Sequence, residues 1–478
     1  MKLEVPPNVH MDHKHRKFVH PIHRLPIETL AEIFLLVVED QEPYRATIIR
    51  PNNCLAETPL IFGSICNLWR AVAWGFPRLW TTLSFPIQSS PNINAFYAVV
   101  QGWLQRTGAL PLKIHISCYS GPTDSLNPLI DLLKEYSNRW HHLELYLAHP
   151  FFLKLLLDGS HVTRTSCLDI LEINPLYPLD PSPDPESTTL DTTMAHSPRI
   201  LQCGIELSRT IIQWHLLEQV DFQHVVSVSH LFRFLHDAPR VTRCNVNGLE
   251  FQRDQILPLD YSQPPLFHHH LENLRIVVGP DPEEDWEEQV SILEKLFSCL
   301  ALPSLKSLEI GLSPTPFNAA YADVLIMLVS NSACSLQVFR QSGALFTSDD
   351  EEDQLLRFLL LTPTLERLGI ESYWEKESCI CDHFFGRLSA VEGDPNLLPN
   401  LKAFEYSGPR NFSWESLVKI WSKNGARNCM GRGENVVENV VLDLLHEPID
   451  GEVGPGRVLE LDDGIWEKIE ISVQYSRD

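Results

Sequence analysis

Basic residues are scarce in this chain. Its 478 residues include 38 Lys and Arg against 62 Asp and Glu, a formal net charge of −24. Such acidity repels phosphate backbones and anionic headgroups, so neither nucleic acid nor a membrane surface is expected as a partner. The first 25 residues reverse the trend. Lys2, Lys14, Arg16, Lys17 and Arg24 outnumber Glu4 and Asp12 there, with His10, His13, His15, His20 and His23 among them. Long apolar runs are also missing. The best, Leu30–Val38, contains Glu32 and is too short to span a bilayer, which needs ~20 residues. Pro6, Asn8, His10 and Asp12 interrupt any signal-peptide core. The 11 cysteines include no C-x-x-C pair, as expected of a reduced cytoplasmic or nuclear protein with unpaired thiols.

Catalytic frames are absent as well. Gly431-Arg432-Gly433 and Gly454-Pro455-Gly456 lack the third glycine and the strand-to-helix setting of a nucleotide fingerprint. There is no Walker A loop, no G-x-S-x-G elbow and no H-E-x-x-H. The expectation is a protein that is not an enzyme, with no catalytic residues and no cofactor.

What is present is ordinary globular material, 44% hydrophobic and 21% charged. The length exceeds a single core and implies several domains or an elongated array. A polar, His-rich tail is expected over 1–20. Leu25-Pro26-Ile27-Glu28 then opens a helix, since proline suits a first turn where its missing N–H has no partner. Ile27, Leu30, Phe34 and Val37 give that helix one apolar face. Residues 39–58 read as a polar loop. A second helix starts near Pro59 and carries Ile61, Ile65, Leu68 and Val72 as its stripe, with Cys66 and Trp69 alongside. Phe76-Pro77-Arg78-Leu79-Trp80 is a turn that delivers a tryptophan, 81–86 is strand-like, and 92–106 is a third helix.

From Leu110 onward one phrase recurs: apolar, two others, apolar, one other, apolar. It reads Leu168-Leu171-Ile173, Ile200-Cys203-Ile205, Leu217-Val220-Phe222, Val241-Cys244-Val246, Leu271-Leu274-Ile276, Leu305-Leu308-Ile310 and Leu365-Leu368-Ile370. Weaker copies are Trp140-Leu143-Leu145, Leu336-Phe339, Leu401-Phe404-Tyr406, Val437-Val440-Leu442 and Trp466-Ile469-Ile471. This is the L-x-x-L-x-L signature of leucine-rich repeats, stretched by insertions. Each phrase should be a short strand, successive strands should pair in parallel, and helical returns should run between them at 286–300, 319–329 and 349–361. Asp349 and Glu352 stand at capping-box spacing on the last. Pro198, Pro239, Pro303, Pro363 and Pro399 precede phrases and stop the returning helices. The proline-rich stretch 174–199 is expected to leave the array as a disordered excursion.

Residues 22–85 resemble the F-box-like motif, in the version common in large families of fungal proteins. The resemblance rests on Leu25-Pro26-Ile27-Glu28, Ile33-Phe34, Ile65-Cys66, Trp69-Arg70, Pro77 and Leu79-Trp80. Trp103-Leu104-Gln105-Arg106-Thr107-Gly108 and Leu110-Pro111-Leu112 also look like the segment that often follows it. The resemblance implies an α/β architecture: a three-helix F-box-like unit over 21–86, a linker helix and cap over 87–110, and an irregular leucine-rich-repeat solenoid over 111–478. It implies a substrate-recognition adaptor of a Skp1-cullin-F-box ubiquitin ligase. Leu25, Pro26, Ile27, Ile33, Phe34, Ile65, Cys66, Trp69, Arg70, Leu79 and Trp80 would dock a Skp1-like adaptor that joins the cullin subunits. The repeats would capture a protein substrate. The other reading is a repeat scaffold that never joins a ligase.

The docking residues read either as an interface or as the core of a three-helix unit. The interface is favoured because so short a unit cannot bury all its large apolar groups internally. No metal is expected. His268-His269-His270 point in different directions from a loop. Cys379-Ile380-Cys381-Asp382-His383 is the only soft-ligand cluster and has no second ligand pair in the sequence, so it reads as a loop or helix start. Asp349–Asp353 reads as a solvated helix N-terminus, favoured by the helix dipole, or as a contact for a basic partner.

Overall fold

The structure, a computed structural model, describes residues 21–39, 59–87, 93–118, 126–147, 167–175, 198–204, 214–250, 265–279, 286–372, 380–388, 397–413, 416–417, 439–446 and 469–475. The His-rich tail, the 40–58 loop, 176–197 of the excursion, Ile205, Cys379, the Gly431–Gly433 and Gly454–Gly456 pairs, Val437 and Trp466 lie outside them. Contacts divide the chain into two units. The first is Met1–Leu156 with His161–Cys167 and Leu176–Pro178; the second is Leu157–Ser160, Leu168–Pro175 and Leu179–Asp478.

In the first unit, α1 (Ile27–Glu39) begins directly after Pro26, whose carbonyl accepts from the Leu30 N–H at 3.0 Å. The expected single second helix is broken in two, α2 (Pro59–Ile65) and α3 (Asn67–Gly75). Cys66 is the break. Its extended backbone starts a new helix and its Sγ caps the Trp69 N–H at 3.5 Å. A 3₁₀ turn, Pro77–Trp80, then leads into β1 (Thr82–Ile87). Helix α4 (Ile93–Arg106), β2 (Leu112–Cys118), α5 (Asn127–Glu135) and β3 (Trp140–Leu147) follow. Strands β1, β2 and β3 pair in parallel, which places Leu83 beside Ile114 and Ile114 beside Leu143. Trp80 at the end of the turn, with Leu83 and Phe85 on β1, all buried, repeats the spacing of the phrase. The end of the motif region is therefore also the first strand of a sheet within the first unit.

The second unit is an α/β fold on a parallel sheet. Its strands are β4 (Ile170–Pro175), β5 (Ile200–Cys203), β6 (Gln219–Phe222), the short β7 (Val226–Ser227), β8 (Arg243–Glu250), β9 (Leu266–Phe267), β10 (Asn273–Val278) and β11 (Leu300–Ala301). They continue with β12 (Ser307–Pro316), β13 (Val338–Leu345), β14 (Arg367–Ser372), β15 (Ala403–Pro409), β16 (Asn439–His446) and β17 (Ile469–Tyr475). The sheet order is β4-β5-β6-β8-β10-β12-β13-β14-β15-β16-β17, with β7 against β8 and β9 paired to β11 apart from it. Helices α6 (Val228–Asp237), α7 (Trp286–Ser298), α8 (Ala319–Ser332), α9 (Asp349–Leu359) and α10 (Asp382–Leu388) lie between strands in the chain. Among the described residues no helix is long and apolar enough to cross a membrane.

Register explains why the phrases form this sheet. Leu171, Leu201, Val220, Cys244, Leu274, Leu308, Phe339, Leu368, Phe404 and Val440 are successive partners across the strands, and none is more than 2% exposed. Two residues on, a second column runs Ile173, Cys203, Phe222, Val246, Ile276, Ile310, Gln341, Ile370, Tyr406 and Leu442. Side chains on a strand alternate faces, so both columns point to one side. Burying each large side chain there stabilises the fold by ~1.5–3 kcal/mol. Two sequence readings are corrected. The phrase at Ile200-Cys203 is displaced by two residues: the inward set is Pro198, Leu201 and Cys203, while Ile200 is half-exposed. The incomplete Leu336-Phe339 phrase is completed by buried Gln341, whose Oε1 accepts from the Tyr321 hydroxyl and whose Nε2 donates to the Ser342 carbonyl at 2.9 Å. A polar group thus occupies an apolar column without losing its hydrogen bonds.

Candidate functional site

Helix α1 is apolar nearly all round. At about 100° per residue, Leu30, Ala31, Phe34 and Leu35 share one side and are buried. Ile33, Leu36 and Val37 fall on another and are 37%, 65% and 46% exposed. Leu25 and Ile27 at the helix start are 37% and 58% exposed, and Ile61 and Ile65 on α2 are 40% and 54% exposed. Of thirteen large apolar residues exposed among the described residues, seven sit on these two helices and their approach. Scattered apolar residues are normal on a surface; these seven are concentrated on one small helical unit. Pro26 is exposed with its neighbours.

The residues singled out from the sequence separate into two groups. Leu25, Pro26, Ile27, Ile33, Ile65 and Arg70 are on the surface. Arg70 is tied back, its Nε donating to the Gly63 carbonyl at 2.7 Å. Cys66 and Trp69 are half-buried. Phe34, Leu79 and Trp80 are at most 1% exposed and are corrected to core. Phe34 stacks on Phe62 with centroids 4.2 Å apart and meets Trp69 at 4.8 Å. Trp80 donates its indole N–H to the Ala73 carbonyl at 2.8 Å. The Arg106 guanidinium stands over the rings of Trp74 and Trp80 at 5.4 and 5.0 Å. These residues support the exposed face from beneath. Leu36, Val37 and Ile61 belong to that face, although Leu36 lay off the periodic stripe and none of the three was singled out as a docking residue. The signal was the Ile33–Val38 run, too continuous for one helix face.

The outward row of the second unit's sheet is polar. Arg275 Nε pairs with Glu309 at 2.7 Å and its Nη1 reaches Asn247, whose Nδ2 donates to Asp221 at 3.0 Å. Burial pushes the Asp221 carboxyl up, with Arg275 pulling against it. Arg340 pairs with Glu405 at 2.8 Å. It spans Gly369 on the intervening strand, where a Cβ would lie 2.9 Å from the Arg340 Cγ. Three residues earlier along the chain, Lys306 meets Glu272 at 2.7 Å and Lys402 meets Glu366 at 3.0 Å.

Three further clusters were not legible as arranged. His115 and Glu144 form a buried pair between β2 and β3; desolvation pushes Glu144 up, but the hydrogen bond and charge of His115, with Tyr146, hold it below the usual carboxylate range. His268 lies in the loop expected before β10, but it is buried there: its Nδ1 accepts from the Leu271 N–H and its Nε2 meets the Ala238 carbonyl, each at 3.1 Å. Burial lowers its pKa. Cys381 is brought to the first turn of α9, where its Sγ faces Glu352 and Asp349, and burial with these carboxylates pushes the thiol up to about 11. No protein-family model matches the chain, and a search of curated proteins returned no match.

Proposed function

We propose that the chain is a substrate-recognition adaptor of a Skp1-cullin-F-box ubiquitin ligase, with a first unit of F-box type and a second of leucine-rich-repeat type. The observation that carries the reading is the row of exposed Leu25, Ile27, Ile33, Leu36, Val37, Ile61 and Ile65 on a helical unit whose aromatic interior is already filled. A surface of this kind gains ~0.8 kcal/mol per methylene when a partner covers it. The resemblance of residues 22–85 to the F-box motif supports a Skp1-like adaptor as that partner, which links the chain to the cullin subunits. The parallel columns and helical returns support the repeat reading, and the polar outward row is the surface offered to a protein substrate. The transfer chemistry belongs to the other ligase subunits, and the chain itself needs no cofactor. The separate thiols of Cys118, Cys203 and Cys244 support the reducing cytoplasm or nucleus.

A scaffold that never joins a ligase is the second reading. It is favoured by the burial of Leu79 and Trp80 at the head of β1, which builds the motif region into a sheet. Purification of the full chain from cells, followed by mass spectrometry, separates the two. The ligase reading expects an adaptor and cullin subunits with the wild type and their loss with Ile33→Asp and Leu36→Asp. Wild-type purifications without them would leave the scaffold.

A further inference from the structure

We propose that Cys381, Glu352 and Asp349 form a binding site for a thiophilic divalent transition-metal ion of the zinc class, joining the start of α9 to the segment that enters α10. The ligands come from two stretches about 30 residues apart, which is why the sequence showed a soft cluster with no second set of ligands. A tetrahedral zinc ion has Zn–S near 2.3 Å and Zn–O near 2.1 Å, so its S···O ligand edges are roughly 3.6 Å. Cys381 Sγ lies 3.4 Å from Glu352 Oε2 and 3.9 Å from Asp349 Oδ1. The three ligand atoms all lie within 4.8 Å of one another.

The arrangement is held before any ion arrives. The Cys381 N–H donates to Glu352 Oε1 at 2.6 Å, and Cys381 bridges Asn411 on the far side. The next residue, Asp382, accepts from the Ser413 N–H at 2.7 Å and its hydroxyl at 3.0 Å. Acids in a first helical turn ordinarily offset the dipole or cap free N–H groups. Glu351 performs the capping here: its carboxylate accepts from the Ser348 N–H at 2.9 Å and makes the capping box. The Asp349 and Glu352 pairing suggested by spacing is therefore one residue out of register with the real cap. Glu352 is instead 1% exposed and turned to the thiol, and its carboxylate is held there by the backbone N–H groups of Cys381 and Phe384 at the start of α10. His383 stands beside the cluster with Nε2 on Asp353 at 3.0 Å. The ring nitrogens of His383 are not among the three clustered ligand atoms, so the fourth position falls to water. The thiolate sets the preference for a transition ion over Mg²⁺ or Ca²⁺. On binding, the thiol proton passes to solvent as S–H is exchanged for S–metal.

Cobalt(II) titration of the full chain tests this site. The expected result is one equivalent bound with a thiolate-to-cobalt charge-transfer band, displaced by zinc. Cys381→Ser should abolish the band. Asp349→Asn, at an exposed position that tolerates the change, should weaken affinity at least tenfold. Zinc should also raise the Tm of the wild type and leave that of Cys381→Ser unchanged. No band at micromolar cobalt with the wild type, or a full band with Cys381→Ser, overturns the proposal; the latter would put the ion on other thiols.

Discussion

Trp103 donates its indole N–H to the main-chain carbonyl of Trp80 at 2.6 Å, and the two rings meet edge to face with centroids 4.8 Å apart. This contact ties α4 to the turn that ends the motif region. Trp103→Phe keeps most of the packing but leaves the buried carbonyl without its donor. It should cost about 1–3 kcal/mol, read as a lower urea midpoint. Removing residues 1–85 should cost far more, because it takes away Trp80 and most of β1, and bares the β2 edge. Such a fragment is expected to aggregate, so point variants are the proper tools for separating docking from folding.

Leu308 and Glu309 are neighbours on β12 that point to opposite faces. Leu308→Ala opens a cavity in the inward column and should cost about 2–5 kcal/mol. Glu309→Ala breaks a half-exposed ion pair with Arg275 and should cost at most about 1 kcal/mol. Urea unfolding of both variants checks the contrast. Equal losses would contradict the assignment of faces.

Gly343 has φ +76, and a Cβ there would lie 1.8 Å from the Leu312 carbonyl oxygen. The site lies at a register irregularity between β12 and β13. Gly343→Ala should therefore destabilise by more than about 2 kcal/mol, since strain and a backbone clash act together. A thermal melt close to wild type would show the bend to be unnecessary.

His268 gives a pH dependence with a definite sign. Burial lowers its folded pKa, so below the unfolded value of about 6.5 the unfolded chain takes up a proton that the folded chain refuses. Stability should fall as pH drops below that value, by at most about 1.4 kcal/mol per pH unit for one proton. The gap in unfolding free energy between wild type and His268→Gln should narrow as pH falls from 7 towards 5, roughly over the titration range of histidine. A constant gap would mean that His268 titrates alike in both states.

Much of the second unit was legible because its information is periodic. Leu305, Leu308 and Ile310 are spaced for a strand, and the same spacing at Leu365, Leu368 and Ile370 puts like residues in register. Where one residue departs, the pattern misleads: Ile200 lies one residue before the inward Leu201, and Gln341 hides a position that only the distant Tyr321 makes tolerable. The docking face was legible as a set of residues but not as sides. On a helix whose apolar residues run nearly all round, the sequence cannot say that Phe34 turns inward and Leu36 outward, since that depends on where Phe62 and Trp69 arrive. The Cys381 cluster was illegible for a similar reason, its partners being set by tertiary contact alone.

The central claim is that the exposed side of α1 and α2 docks a Skp1-like adaptor. Calorimetric titration of purified adaptor into the full chain tests it most directly, with the wild type, Ile33→Asp, Leu36→Asp and the outward-row variant Glu309→Ala compared. The account predicts a complex with the wild type and with Glu309→Ala, and at least 100-fold weaker binding with each aspartate variant at unchanged thermal stability. No measurable binding by the wild type, or aspartate variants that bind as it does, would contradict it.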